Sequence, residues 1–349
     1  MKFGIFDYVD QRDEAPARTF DERMALLRAA EDAGFYGYHL TEHHMTPLSL
    51  APSPNVFLAA AARETKRLRL GTLLHLLPLH HPVRLVEELC MLDHLSHGRL
   101  DIGVGTGVSP HEFAVFGEDF EGARESFEEN FEILYQGLTQ DRITHHGKRW
   151  RHDGLKMVMR PLQKPMPPLW YGLRSDYGHP MAARYGMNVV TLGPDDRIAR
   201  SIARFRDAWR EHEEERSRLG TGVAEPLVGA MRAIFVADTD AEAERLAGPA
   251  HEQWFESLCW LWKENGAFPP ITLSPNFAEA TRSGALVAGS PATVRKILVE
   301  QARSNGFNYL VLHLAYGSLG HAQEMRSLAL FRDEVMPALA GIDASVAAK

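Results

Sequence analysis

Glu42, His43 and His44 stand together where the apolar run of GYHLTEHHMTP (37–47) stops. A carboxylate next to two imidazoles suits three roles: ligating a metal, moving a proton near neutral pH, or forming a polar surface turn. Adjacent side chains on an extended chain point to opposite faces, so His43 and His44 do not both enter one pocket. One of them is a candidate for chemistry and the other for structure.

The elements that would position them alternate along the chain. Strand-like runs occur at KFGIF (2–6), GYHL (37–40), LRLGTLL (68–74), RLDIGVG (99–105), LWYGL (169–173), MNVVTL (187–192), AMRAIFVA (230–237) and YLVLHL (309–314). Between them lie helical patterns. Phe20, Met24, Leu27 and Ala30 recur at helical spacing before Gly34, Val56 to Glu64 is alanine-rich, and Pro82 opens a helix to Leu95. Further helices are expected at Arg124 to Tyr135, at Pro180 to Tyr185, along a polar stretch ending near Gly220, at Ala292 to Ser304, and through Met325, Leu328, Phe331, Val335 and Leu339. After the seventh strand the chain reads as an extended insertion. Eight strands, each followed by a helix, predict an α/β fold with a single (β/α)8 TIM barrel over residues 1–341 and a tail at 342–349. A doubly wound sheet is the alternative, but FGIFDYVDQ (3–11) lacks G-x-G-x-x-G after the first strand. The glycines of GVGTG (103–107) read as sites of close backbone approach, and REHEEERSR (210–218) as a solvated helix face.

Composition narrows the function. The 349 residues are 45% hydrophobic with a formal net charge of -8. That balance provides no basic field for nucleic acid or an anionic membrane. No apolar run is long enough to span a bilayer, and Cys90, within an apolar helical pattern, reads as a small buried hydrophobe. A cytoplasmic enzyme acting on small molecules is expected.

Barrel chemistry sits at the C-terminal ends of the strands. There the sequence places Asp7, Glu42 to His44, His75, Thr106 and Ser175. No metal ligand set is assigned. Barrel metallohydrolases carry H-x-H after the first strand, where this chain has FDYVD, and His80 and His81 follow Pro78 into the start of a helix.

TEHHMTP, LGTLLHLLPLHHPVRLVEELCMLDHLSHGRLDIGVGTG and EFAVFGEDFEGARESFEENFEIL, with GSPATVRKIL and YLVLHL near the end, resemble the bacterial luciferase-like family of flavin-dependent monooxygenases. MRAIFVADTDAEAERLA and the LLHLLP turn also resemble its ketone monooxygenases. The resemblance covers nearly the whole chain. It implies a (β/α)8 barrel, reduced FMN supplied by a separate NAD(P)H:flavin reductase, molecular oxygen, a flavin hydroperoxide and a homodimer. Carried over residue by residue, the first histidine of the family's EHH matches His43, and His44 becomes the structural member. The phosphate-binding arginine matches Arg124, the serine after strand five matches Ser175, and Gly178 stands at the next helix start. The family's non-prolyl cis peptide matches Leu73 and Leu74, and Phe6 would lie near the flavin ring.

Departures limit the transfer. A reactive cysteine and arginine at the end of strand four in the luciferase alpha subunit correspond to Gly105 and Thr106, so light emission does not carry over, and Thr106 is a weaker neutral phosphate donor. Residues 263–291, rich in Gly, Pro and Ser, read as a lid. Leu76, Leu77 and that lid would form an apolar pocket for an aldehyde, ketone or terpenoid-like substrate. The alternatives are a deazaflavin-dependent hydride-transfer enzyme and a non-catalytic flavin-binding subunit.

Overall fold

The computed structural model describes residues 1–342. The expected tail at 342–349 therefore lies outside the described residues, apart from Ile342. Twelve strands are present among them: β1 (Lys2–Asp7), β2 (Gly37–Leu40), β3 (Arg69–Thr72), β4 (His75–Leu76), β5 (Leu100–Gly105), β6 (Arg142–His146), β7 (Arg151–Lys156), β8 (Leu169–Gly172), β9 (Asn188–Thr191), β10 (Val228–Val236), β11 (Leu286–Gly289) and β12 (Tyr309–His313). Eight of them close a parallel barrel in the order β1, β2, β3, β5, β8, β9, β10, β12 and back to β1. β4 extends the β3 edge against β5. β11 pairs with the last residues of β10, Ala233 to Val236, beyond the Val228 to Ala230 stretch that pairs with β9. The nine-residue length of β10 serves both neighbours.

Period-two alternation divides the barrel strands between two cores. Phe3 and Ile5 of β1 pack outward with the helices, as do Leu26, Leu58, Leu89 and Leu134. Phe6 packs inward with Trp170, Met231, Tyr309 and Val311. Gly4 admits the barrel floor, because a Cβ there would sit 1.8 Å from the Tyr309 hydroxyl. That hydroxyl lies 2.7 Å from His39 Nε2, and burial pushes His39 down to about 3.

Three departures from the sequence reading bear on the site. The stretch after β10 is not an extended insertion at first: it is a 25-residue helix, Asp240–Glu264. Thr239 caps it, accepting from the Glu242 N–H at 3.1 Å. Residues 265–276 have no regular structure, Phe277–Arg282 is a short helix, and β11 joins the main sheet. The expected lid segment thus ends in a buried strand. Between β5 and β8 the chain adds the six-residue helix Pro110–Val115 and the β6–β7 hairpin, neither anticipated. Among the described residues no helix is long and apolar enough to cross a membrane. Cys90 and Cys259 are both free and buried.

Candidate active site

β2 ends at Leu40, and the chain leaves it through Thr41 to Met45, the last with φ of 52°. That turn sends the two histidines to different carboxylates. His43 Nδ1 lies 3.0 Å from Glu112 Oε1, and the His44 N–H donates to the same oxygen at 2.9 Å. Since a carboxylate only accepts, Nδ1 carries the proton and Nε2 is the free nitrogen. Burial would lower the His43 pKa, but the Glu112 carboxylate outweighs it and raises the value. Burial likewise raises Glu112, and His43 reverses that into a net lowering.

His44 turns to Glu42. Its Nε2 is 2.9 Å from Glu42 Oε1, His80 Nε2 is 2.9 Å from both oxygens, and the Leu76 N–H donates to Oε2 at 3.0 Å. Burial acts to raise the Glu42 pKa, yet His80 and His44 hold it well below the ordinary carboxylate value.

A cleft opens over His43. Thr46, Leu48, Val108, Ser109, Glu112, Arg174, Leu258, Leu261, Trp262, Pro269, Pro270 and Ile271 line it with His43. Half of these twelve residues come from the helix Asp240–Glu264 and the loop after it. Leu76 and Leu77, expected as pocket walls, are buried elsewhere: Leu77 is 1% exposed within the outer core. Ser109 is 4% exposed, and its Oγ has no partner among the described residues.

The other sequence-derived candidates fall into two groups. At the barrel mouth, Phe6 is edge-on to Tyr8 at 5.0 Å and to His313 at 6.0 Å. Tyr8 in turn lies 5.6 Å from the His43 ring. The Leu73–Leu74 peptide bond is cis, and the Leu74 side chain fills space left by Gly103, Gly105 and Gly172, where added Cβ atoms would lie 3.2, 2.5 and 3.2 Å from it. Thr106 is half-buried, and its hydroxyl is directed to the Gly107 carbonyl at 3.4 Å. Farther out, Arg124 is exposed, 3.3 Å from Glu128, with its guanidinium 3.7 Å over the Tyr177 ring. Ser175 is exposed two residues before Tyr177. Gly178 opens the helix Gly178–Arg184, and its N–H donates to the Ser175 carbonyl at 3.2 Å. Its lack of a side chain is needed against Tyr171, whose ring atom would be 2.5 Å from a Cβ.

Two rim residues turn out to be held by structure. Asp7 pairs with buried Arg23 at 3.0 Å. His75 is fixed between Thr72 Oγ1 at 2.7 Å and Asn55 Oδ1 at 2.9 Å, and burial lowers it to about 4. Sequence reasoning missed Glu112, Tyr8, Arg174 and Trp262. Only the helix that carries Trp262 left a signal, the T-x-x-E spacing of Thr239 and Glu242.

A closed parallel barrel with a largely apolar cleft over His43 at the strand C-termini defines the class: a TIM-barrel enzyme. The sequence model of the luciferase-like monooxygenases matches residues 1–309, and the chain belongs to that family. An uncharacterised protein of Sinorhizobium fredii, y4wF, is 35% identical, with 96% of each chain covered. The oxygenase component of the flavin-dependent trigonelline monooxygenase of Acinetobacter baylyi is 26% identical over 97% of this chain and 95% of its own. Among solved structures, the oxygenating constituent of 3,6-diketocamphane monooxygenase from Pseudomonas putida, a type II Baeyer-Villiger monooxygenase in complex with FMN, superposes with a TM-score of 0.80. It is 22% identical and covers 97% of this chain and 98% of its own.

Proposed function

We propose that the chain is the oxygenase of a two-component system that uses reduced FMN and molecular oxygen to oxidise a small organic substrate in the cleft at His43. The observation that carries this reading is the His43–Glu112 pair set into a cleft walled by Leu258, Leu261, Trp262 and Ile271. The surroundings suit a flavin. Thr41 Oγ1, Ser109 Oγ and His313 Nε2 are buried polar atoms without partners among the described residues, and each lies at or just beyond the C-terminal end of a barrel strand.

Phe6, Leu73, Leu74 and Thr106 would hold the ring end, and Arg124 and Ser175 the phosphate. Arg124 is already oriented by stacking on Tyr177, and Gly178 shapes that turn by admitting Tyr171. Bound reduced FMN supplies the activation of oxygen. This chain's residues do the rest. Glu112 holds the Nδ1 proton of His43, so that Nε2 takes or returns a proton at the reacting group. The raised His43 pKa keeps a larger share of imidazolium available near neutrality. The lid expected at 263–291, irregular over 265–276, would with Trp262 keep water away from the reacting atoms.

The Acinetobacter relative is an oxygenase component, which supports a separate NAD(P)H:flavin reductase as partner. A homodimer and a cytoplasmic setting complete the proposal, the latter supported by two free, buried cysteines. The test is oxygen consumption with enzymatically reduced FMN against a reduced deazaflavin, with and without added aldehydes and ketones. Substrate-dependent product with FMN supports the reading. Turnover with the deazaflavin alone, without oxygen uptake, replaces it with hydride transfer, and robust NADH oxidation by the isolated chain removes the reductase.

A further inference from the structure

The two charges on the cleft wall are not paired with each other. Two charged side chains besides His43 line it, Glu112 and Arg174. Glu112 is already engaged by His43 and by the His44 N–H. Arg174 has no ion-pair partner among the described residues, and the acidic residues nearest it and Arg197 in sequence are paired elsewhere. Asp176 pairs with Arg204, Asp195 with buried Arg232, and Asp196 with Arg200 at 2.7 Å.

A second cation lies close by. Arg197 also has no ion-pair partner among the described residues, and its guanidinium donates to the Arg174 carbonyl at 3.3 Å. Burial, then the charge of Arg197, lower the Arg174 pKa. Arg174 is exposed at the cleft wall with no ion-pair partner among the described residues, so an anion entering the cleft meets a guanidinium that no carboxylate already holds. The same cleft offers the partnerless Ser109 hydroxyl and a wall of Leu48, Val108, Leu261 and Trp262.

We infer that the organic substrate is an acid: its anionic group is read by Arg174, with Arg197 behind it, and its apolar or aromatic body lies along the cleft toward His43. This rests on the proposed placement of substrate in the cleft and narrows its class from neutral carbonyl compounds to organic anions. Arg174 is then a specificity-determining residue, and its neutralisation should raise KM for acids while leaving flavin binding intact.

The test uses benzoate and benzamide, which share a ring and differ in charge, titrated calorimetrically into the FMN-loaded protein. Benzoate should bind about tenfold more tightly than benzamide. Arg174→Gln should abolish that preference, Arg174→Lys should keep part of it, and both should bind FMN as the unchanged protein does. Equal binding of the two probes, no heat from either at millimolar concentration, or an unaltered preference in Arg174→Gln would overturn the inference. So would a loss of FMN binding in Arg174→Gln with riboflavin unaffected, since Arg174 would then read the cofactor phosphate. Should FMN not bind at all, the flavin reading fails separately, because the benzoate and benzamide titrations can be run on the flavin-free protein.

Discussion

Two carboxylate–imidazole groups grow from one short run, and they differ in how completely the carboxylate is used. Glu42, 3% exposed, receives His44, His80 and the Leu76 N–H, so every oxygen is engaged. Glu112, 2% exposed, ties down one nitrogen of His43 and the His44 backbone, and leaves His43 Nε2 uncommitted at the cleft. The same residue types therefore make a structural knot in one place and a proton-handling pair in the other. What separates them is the number of partners on the carboxylate and whether the histidine lines the cleft, since both have a histidine on a buried carboxylate.

The largest test of that contrast is His43→Ala, which should reduce product formation about 10²–10⁴-fold, as expected for loss of a positioned acid or base. Flavin affinity should hold, and consumed oxygen should emerge as hydrogen peroxide. His44→Ala should instead lower stability and keep its coupling. Product and peroxide per reduced FMN, measured for both variants, decide between them, and the reverse pattern would exchange the two roles.

Glu42→Ala probes the knot. Removing a buried acceptor that holds two imidazoles and an N–H should cost about 3–5 kcal/mol in denaturant unfolding. A loss no greater than an exposed substitution gives would mean that the cluster contributes little.

Arg124→Ala moves the comparison to the outer rim, where a charge-assisted contact to phosphate is at stake. Reduced FMN should bind about ten- to a hundred-fold more weakly, with riboflavin much less affected. Equal losses for both would show that Arg124 serves only its pairing with Glu128 and Tyr177.

The smallest effect concerns pH. Burial lowers the His80 pKa, but Glu42 raises it above the ordinary value of 6.5. Its contribution to stability is thus complete below 6.5 and is lost as pH rises through the folded value. His75 runs the other way: with a folded value of about 4, it contributes above 6.5 and that contribution falls away as pH drops toward 4. His80→Asn should therefore flatten the decline in melting temperature above pH 6.5 and leave the acid limb unchanged. A parallel shift of the whole curve would exclude His80 as its source.

Much of the scaffold was legible from local patterns. Pro82 to Leu95 is helical as read, GYHL is a strand, and Gly34 leaves its helix at φ of 82°. The close-approach reading of the GVGTG glycines also holds, since a Cβ on Gly103 would lie 2.1 Å from the Thr72 carbonyl oxygen. The helix Asp240–Glu264 was missed because Gly248 and Pro249 sit inside it, and both ordinarily mark a break. β11 was missed because four residues beside a polar loop carry too little periodicity.

By itself the sequence determined the alternation of strands and helices, the divergence of His43 from His44, and the family likeness, because these rest on local spacing and on residues read one after another. Only the tertiary structure decided that Glu112, sixty-nine residues away on a six-residue helix, meets His43. It alone set Arg124 on Tyr177 and placed Arg174 on the cleft wall without an ion-pair partner among the described residues. Such long-range pairings are chosen by how whole elements pack, and no spacing within either segment encodes the partner.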